Sequence, residues 1–374
     1  MAASGVCQGM IQAPEKGDRI GSYRVDGLIS RGGMATIFRG TQVTTGLPVA
    51  IKVPHPELEC DVLFFDRFHR EADIGRKLDH PGVVKVLPND HPERVCMAME
   101  WVEGCPLRDV LDREQRVSPE RARRIALQVC DALGYIHSHG VVHRDLKPDN
   151  IMINEQDNIK LIDFGIARDA AARRLTFAKL TKAMGTPDYV SPEQVKGKRG
   201  DAQCDIYALG VILYEMVTGQ TPFGGPNPTT KLSQRLIIAP PSPREAAPEA
   251  QISPHLEEVI YRALEADPRD RYRSAQQFAW DLEHLEQVGV TARKPAAPLP
   301  ASKTRFSWAW VAIGLIPILI LVLLLLAAHQ QQAAVPPRGA SHMHESRGSL
   351  SSSLSLIPTP VQTISYGSAG SLPI

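Results

Sequence analysis

The sequence predicts an α+β fold in two lobes, a small β-rich lobe followed by a larger helical one, and then a single membrane-spanning helix. Three observations carry this. Short β-type segments crowd residues 23–103, the apolar period turns helical from Pro106, and residues 306–328 run without a charge. The 374 residues are 43% hydrophobic and 22% charged, which is a globular composition. A net charge of +1 offers no basic field for nucleic acid, so no nucleic-acid partner is expected.

Residues 1–22 read as a flexible leader without the apolar run of a cleaved signal. Then "SYRVDGLIS", "ATIFRGTQV" and "LPVAIKV" alternate and are separated by turn residues, which predicts an antiparallel meander. "LFFDRFHREADIGRKL", 63–78, has helical period. "VVKVL" and "RVCMAMEWV" are read as two further strands, giving five strands and one helix in the small lobe, about 23–103.

The second lobe, about 104–287, holds "SPERARRIALQVCDALGYIHSHG", with Ser118 as N-cap, Pro119 at the first helical position and Gly140 at the stop. "DIYALGVILYEMVTG" is apolar all round and so predicts a buried helix. Residues 224–254 are proline-rich and read as loop with a short helix. "SPHLEEVIYRALEADP" and "SAQQFAWDLEHLEQ" close the lobe near Gln287.

Residues 288–305 form a Pro/Ala/Lys juxtamembrane linker. The 23-residue stretch Phe306–Ala328 would rise roughly 35 Å as a helix, enough to cross a bilayer. Arg293, Lys294, Lys303 and Arg305 precede it, and no Lys or Arg follows until Arg338. The positive-inside rule therefore predicts a single-pass protein of the cell membrane, with residues 23–287 cytoplasmic and a short Ser/Pro-rich tail, 329–374, outside. The six cysteines are scattered without a CxxC pair, which predicts reduced thiols rather than a metal site or disulfide framework.

Four constellations follow the glycine-containing stretch "ISRGGMATIF", 29–38. In "VAIK", 49–52, Lys52 ends a hydrophobic run and is costly to bury unless it meets an anion. Glu71, on the next helix, is a candidate partner. "HRDLKPDN", 143–150, packs an acid, two bases and an amide into one loop. "LIDFGIAR", 161–168, holds Asp163 at a strand end. Asn150 and Asp163 are two oxygen ligands of the kind Mg²⁺ prefers beside phosphates.

In this order, with "GTPDYVSPE" at 185–193 and "DPRDRY" at 267–272, the chain resembles the eukaryotic-type (Hanks-type) Ser/Thr protein kinases over roughly 23–287. With the apolar stretch behind, it is similar to bacterial single-pass receptor-type kinases. The resemblance implies the bilobal protein-kinase fold and ATP-dependent phosphorylation of protein Ser/Thr hydroxyls, with Mg²⁺, or Mn²⁺ in its place. It makes Lys52, Glu71, Asp145 and Lys147 the catalytic residues: Lys52 on the α/β-phosphates and on Glu71, Asp145 on the acceptor hydroxyl, Lys147 on the γ-phosphate. Asn150 and Asp163 become the metal ligands.

The same resemblance places Ile29, Ser30, Arg31, Gly32, Gly33, Met34, Ala35, Thr36 and Ile37 in the phosphate-covering loop. Ile29, Ile37, Ala50 and Met152 surround adenine, Met99 is the gatekeeper, and Glu100 to Val102 form the hinge. Glu193 pairs with Arg271. Lys147, two after Asp145, favours Ser/Thr over Tyr acceptors. The activation segment holds Thr176, Thr181 and Thr186, and Arg144 beside Asp145 implies control by a phosphate there. Protein substrates, and a homodimer for trans-autophosphorylation, are the implied partners.

Four positions depart from the family pattern, one of them Ser191, which replaces the usual Ala of the activation-segment end. Ser30 and Ala35 stand where loop glycines are usual, and Ser30 adds a Cβ that restricts the backbone. With Gly32 and the catalytic set intact, a working loop of weakened ATP affinity is expected. Gly75 stands where an apolar spine residue is usual. In a helix it costs roughly 1 kcal/mol against Ala, so the helix is expected to need a partner lobe or phosphorylation to seat Glu71. The rival readings are a pseudokinase scaffold without turnover and a small-molecule kinase of similar fold.

Overall fold

The structure is a computed structural model, and it describes residues 13–55, 62–88, 96–163, 187–225 and 227–291. The activation-segment threonines, the linker, the apolar stretch 306–328 and the tail lie outside the described residues. Among the described residues no helix is long and apolar enough to cross a membrane.

The small lobe is a five-stranded antiparallel sheet in the order β1-β2-β3-β4-β5: Arg19–Ile20, Tyr23–Arg31, Ala35–Gln42, Pro48–Pro54 and Met97–Glu100. Helix α1, Val62–Gly75, follows β4. The burial of β4 alternates, with Val49, Ile51 and Val53 inside and Ala50 and Lys52 on the other face. The buried set packs with Tyr23, Val25, Phe38 and Ala98 into a small core. Strand period therefore decides which side chains of "VAIK" enter the sheet's core and which face away.

Two expectations change here. The leader expected through residue 22 already contains β1, which pairs Arg19 with Arg24 and Ile20 with Tyr23. "VVKVL" is not a strand of the sheet. Val83 bridges to Leu161 and Val86 to Met99, so the segment makes one isolated bridge to the sheet of each lobe.

The large lobe begins with the short sheet β6-β7-β8: Cys105–Pro106, Ile151–Ile153 and Ile159–Leu161. Its helices are α2 (Leu107–Glu114), α3 (Pro119–Ser138), α4 (Pro192–Val195), α5 (Ala202–Thr218), α6 (Pro228–Ile237), α7 (Pro243–Ala246), α8 (Pro254–Ala263) and α9 (Ala275–Glu283). The Ser–Pro starts behave as read. Ser118 Oγ accepts from Arg121 N at 3.3 Å and Ser253 Oγ from Leu256 N at 3.1 Å, each with proline next in the helix. The proline-rich stretch after 224 makes two helices, α6 and α7, rather than one.

Helix α5 is buried from Cys204 to Thr218, which its unbroken apolar run requires. Together with α3 it forms the centre of the main core. Phe68, Ala72, Val86, Met97 and Met99 of the small lobe belong to the same cluster, so the two lobes share apolar packing.

Candidate active site

Strand β4 carries Lys52 opposite Ile37 on β3 and Met97 on β5. Its Nζ lies 2.7 Å from Asp163 Oδ1 and 3.5 Å from Glu71 Oε1. Glu71 is 2% exposed, so this charge is buried and needs a cation. Burial works against the Lys52 ammonium, but the Asp163 and Glu71 carboxylates outweigh it and hold its pKa above that of an ordinary lysine. The three residues thus bridge β4, α1 and the end of β8.

Gly75 ends α1 against Val86. A Cβ at Gly75 would run into Val86 Cγ2, so the valine side chain already occupies the space that glycine leaves open. Glu71 Oε1 lies 3.5 Å from Lys52 Nζ, on the helix that Gly75 ends.

The catalytic loop is built on Asp205, the fourth residue of α5. Its Oδ1 accepts from Arg144 N at 2.7 Å, and its Oδ2 from His143 N at 2.9 Å. His137 Nε2 lies 2.8 Å from the same Oδ2. These bonds hold Arg144 at φ +62°, a conformation that a non-glycine residue seldom adopts without support. Burial pushes the Asp205 carboxyl up, but the His137 hydrogen bond, the two histidines' charge and the Arg144 amide outweigh it, and its pKa falls below the usual carboxylate range.

Asn150 Nδ2 donates to Asp145 O at 2.7 Å and to Asp145 Oδ2 at 3.1 Å. Lys147 Nζ stands 4.0 Å from Asp145 Oδ2. Ile162 N donates to Asn150 O at 2.9 Å, which places Asp163 one residue from the Asn150 backbone. His143 Nε2 donates to Ile162 O at 3.1 Å and ties the loop to the same turn. Asp163 itself has φ +55°. The expected acid, lysine, amide and second carboxylate therefore converge.

This donor set fits a divalent cation bound together with phosphates. The Asn150 amide nitrogen is used on Asp145, which leaves its oxygen, with the Asp163 carboxylate, as hard ligands. Among the described residues no three His, Cys, Asp or Glu side chains gather into a metal cluster, so such an ion would draw its remaining ligands from nucleotide and water.

The loop "ISRGGMATIF" spans the turn between β2 and β3. Ser30 pairs with Ile37 and Arg31 with Thr36, while Gly32 N closes the turn on Ala35 O at 2.9 Å. Ile29 is the extra residue of a bulge between Leu28 and Ser30, and is 46% exposed. Met34 is half-buried and Gly33 is open, with nothing near its Cα on the side a Cβ would take. Ser30 pairs with Ile37 directly after the bulge, and its φ lies outside the left-handed region, so glycine is not required there.

Behind the loop, Ala50 pairs with Met99, which is buried, and Met152 on β7 is half-buried opposite Lys160. Val102 packs on the main core from the hinge. Thr176, Thr181 and Thr186 lie outside the described residues.

The Glu193–Arg271 pair is as expected. Arg271 Nη1 and Nη2 reach the two Glu193 oxygens at 2.9 and 2.8 Å, and the remaining guanidinium hydrogens go to Glu265, Gln203 and Ala266 carbonyls. Sequence reasoning missed a second buried network, in which Tyr189 OH donates to Glu215 Oε2 at 2.5 Å and Arg108 Nη1 to Glu215 Oε1 at 3.0 Å. Burial and the Glu215 charge push the Tyr189 phenol well above its ordinary pKa, so it stays a donor. Only the charged residue inside the apolar run of α5, Glu215, hinted at it.

Comparison with known proteins agrees with this geometry. A model described as "Protein kinase domain" matches residues 23–281, more than half of the chain. The serine/threonine-protein kinase pkn3 of Myxococcus xanthus is 40% identical over 71% of this chain and 50% of its own length. PknB of Mycobacterium tuberculosis is 36% identical over 75% of this chain and 45% of its own. The chain thus spans about half the length of such relatives.

Among solved structures, the PknI kinase domain of Mycobacterium tuberculosis superposes with a TM-score of 0.57 at 26% identity, covering 73% of this chain and all of that one. Rad53 in complex with AMP-PNP superposes at 0.58 and 28% identity, over 69% of this chain and 64% of that one. With that match and the convergence of Lys52, Glu71, Asp145, Asn150 and Asp163, the chain belongs to the protein kinase domain family, and it is similar to Hanks-type serine/threonine kinases of bacteria.

Proposed function

We propose that this chain transfers the γ-phosphate of ATP to serine and threonine hydroxyls of proteins. The observation that carries it is Lys52 bridging Glu71 and Asp163 while Asn150 fixes Asp145. Lys52 would hold the α/β-phosphates. Asp145 would orient the acceptor hydroxyl and take its proton as the oxygen–phosphorus bond forms and the bond to the ADP oxygen breaks. Lys147 would steady the transferred group. Asn150 and Asp163 would hold a Mg²⁺, which would neutralise charge at the phosphates. The relatives' names and the position of Lys147 support Ser/Thr acceptors, and Rad53's AMP-PNP supports ATP as the donor.

The test is γ-phosphate transfer from Mg-ATP to the chain itself and to added protein. Lys52→Met and Asp145→Asn should each lower transfer by roughly 10²–10⁴-fold without unfolding the domain, the first with some loss of stability because it removes a cation beside the buried Glu71. Substantial transfer by both variants would sink the assignment.

The finer reading is a signalling kinase in the cell membrane, with the kinase domain cytoplasmic and tail 329–374 outside. Its support is the uncharged run 306–328 and the basic residues before it. Autophosphorylation in trans within a homodimer, at Thr181 and Thr176, is supported by the basic residues Arg168, Arg173, Arg174, Lys179 and Lys182 around those threonines. A phosphate of about −2 charge would relieve their mutual repulsion.

A further inference from the structure

Glu100 ends β5 and opens the hinge, yet its side chain turns to the other lobe. Lys160 Nζ, on β8, donates to Glu100 Oε1 at 2.6 Å. The same oxygen accepts from Lys85 N at 2.9 Å, and Glu100 N donates back to Lys85 O at 2.9 Å. One carboxylate therefore joins three segments: the last small-lobe strand, the crossing segment 79–88 and the large-lobe strand. The crossing segment is itself bonded to β8, through Leu161 N to Gly82 O at 2.8 Å and Val84 N to Leu161 O at 3.0 Å. Two residues beyond Leu161 stands Asp163.

The next hinge residue reaches the opposite way. Trp101 lies beneath the Arg39 guanidinium of β3, 5.1 Å from ring centroid to carbon, so the hinge is gripped from both lobes in succession. A half-exposed ion pair by itself commonly contributes little. This one differs because the carboxylate also satisfies a backbone amide, so its geometry is set by more than two long side chains.

We infer that Lys160 is a positioning residue for the nucleotide site: through Glu100 it fixes the strand leading to Asp163 against the hinge and keeps the lobes closed around the nucleotide. Its ammonium is bonded to the Glu100 carboxylate. Its effect is on how firmly the cleft holds nucleotide, and so on product release, rather than on the phosphoryl step. This rests on the ATP-dependent reading above.

The experiment uses the full chain in detergent, with mant-ADP and Mg²⁺ in a stopped-flow instrument, alongside steady-state phosphate transfer. Lys160→Met is expected to speed mant-ADP release and raise KM for ATP by about threefold each, with kcat unchanged or raised. Lys160→Arg should return most of the wild-type behaviour, and Tm should move by a few degrees at most. Glu100→Gln keeps an acceptor for Lys85 N but loses the charge, and should speed mant-ADP release as Lys160→Met does. The double variant should be no worse than either single, because both remove one interaction. A wild-type chain that binds mant-ADP while Lys160→Met binds and releases it identically overturns this inference alone, as do single effects that simply add. A wild-type chain that fails to bind mant-ADP overturns the nucleotide reading and this inference with it.

Discussion

Asp205 holds Arg144 in a left-handed backbone conformation, its Oδ1 accepting the Arg144 amide at 2.7 Å where φ is +62°. The acid of the site, Asp145, is the next residue along. A buried carboxylate on α5 thus sets the course of the chain into Asp145.

Folding lowers the Asp205 pKa, so the unfolded chain takes up that proton more readily than the folded one. Its stabilisation is complete above the unfolded value of about 3.9 and fades as pH falls through the lower folded value. Asp205→Asn should cost about 2–4 kcal/mol near neutral pH, since it leaves buried donors without an acceptor. It should also flatten the loss of stability below pH about 4. Urea midpoints of both proteins between pH 3 and 7 measure this, and parallel curves would show that Asp205 is not the titrating group.

Gly75→Ala separates helix propensity from packing. Propensity would stabilise α1 by roughly 1 kcal/mol. The clash with Val86 should cost about 1–3 kcal/mol. A net loss is expected, with Lys52–Glu71 disturbed and activity reduced severalfold. Adding Val86→Ala should remove the clash and recover part of the activity. Thermal melts and transfer assays on the two single variants and the double decide it. A stabilised, fully active Gly75→Ala would mean that Val86 moves aside freely.

The Thr176→Ala/Thr181→Ala variant should be at least about fivefold less active toward added substrate, if their phosphates order the segment through charge-assisted hydrogen bonds. Phosphopeptide mapping of the active protein should find Thr181 occupied first and Thr176 second, with Thr186 the poorest site. Full activity of the double variant, or neither site occupied, would refute this control while leaving the transfer reaction in place.

Reporter fusions test the topology. A fusion after Gln330 should report from outside the cytoplasm and one after Gln287 from inside. The reverse pattern would overturn the charge argument.

The convergence of Lys52, Asp145, Asn150 and Asp163 was legible because these residues sit in short runs whose strand or loop context shows locally. The Ser–Pro helix starts were legible for the same reason. Lys160 and Glu100 lie 60 residues apart, and Arg108 and Glu215 lie 107 apart, with no local pattern to mark either pair. Val86 explains Gly75 only once the fold brings them together. "VVKVL" has the β-branched alternation of a strand, yet its polar backbone atoms are divided between Leu161, Ala98 and Glu100 on different sheets. The two-residue β1 is too short to show any period.

The complete burial of α5 has a consequence for how the chain is made. Synthesis delivers residues 202–218 well before α8 and α9, which help to enclose the main core. At roughly 5–20 residues per second, α5 waits several seconds at the ribosome with an uncovered apolar surface. During that interval the nascent large lobe cannot finish its core, so it is then that chaperones have their longest opportunity to bind. A stalled or truncated chain ending between residues 218 and 254 would carry that surface permanently and be a ready substrate for aggregation or proteolysis.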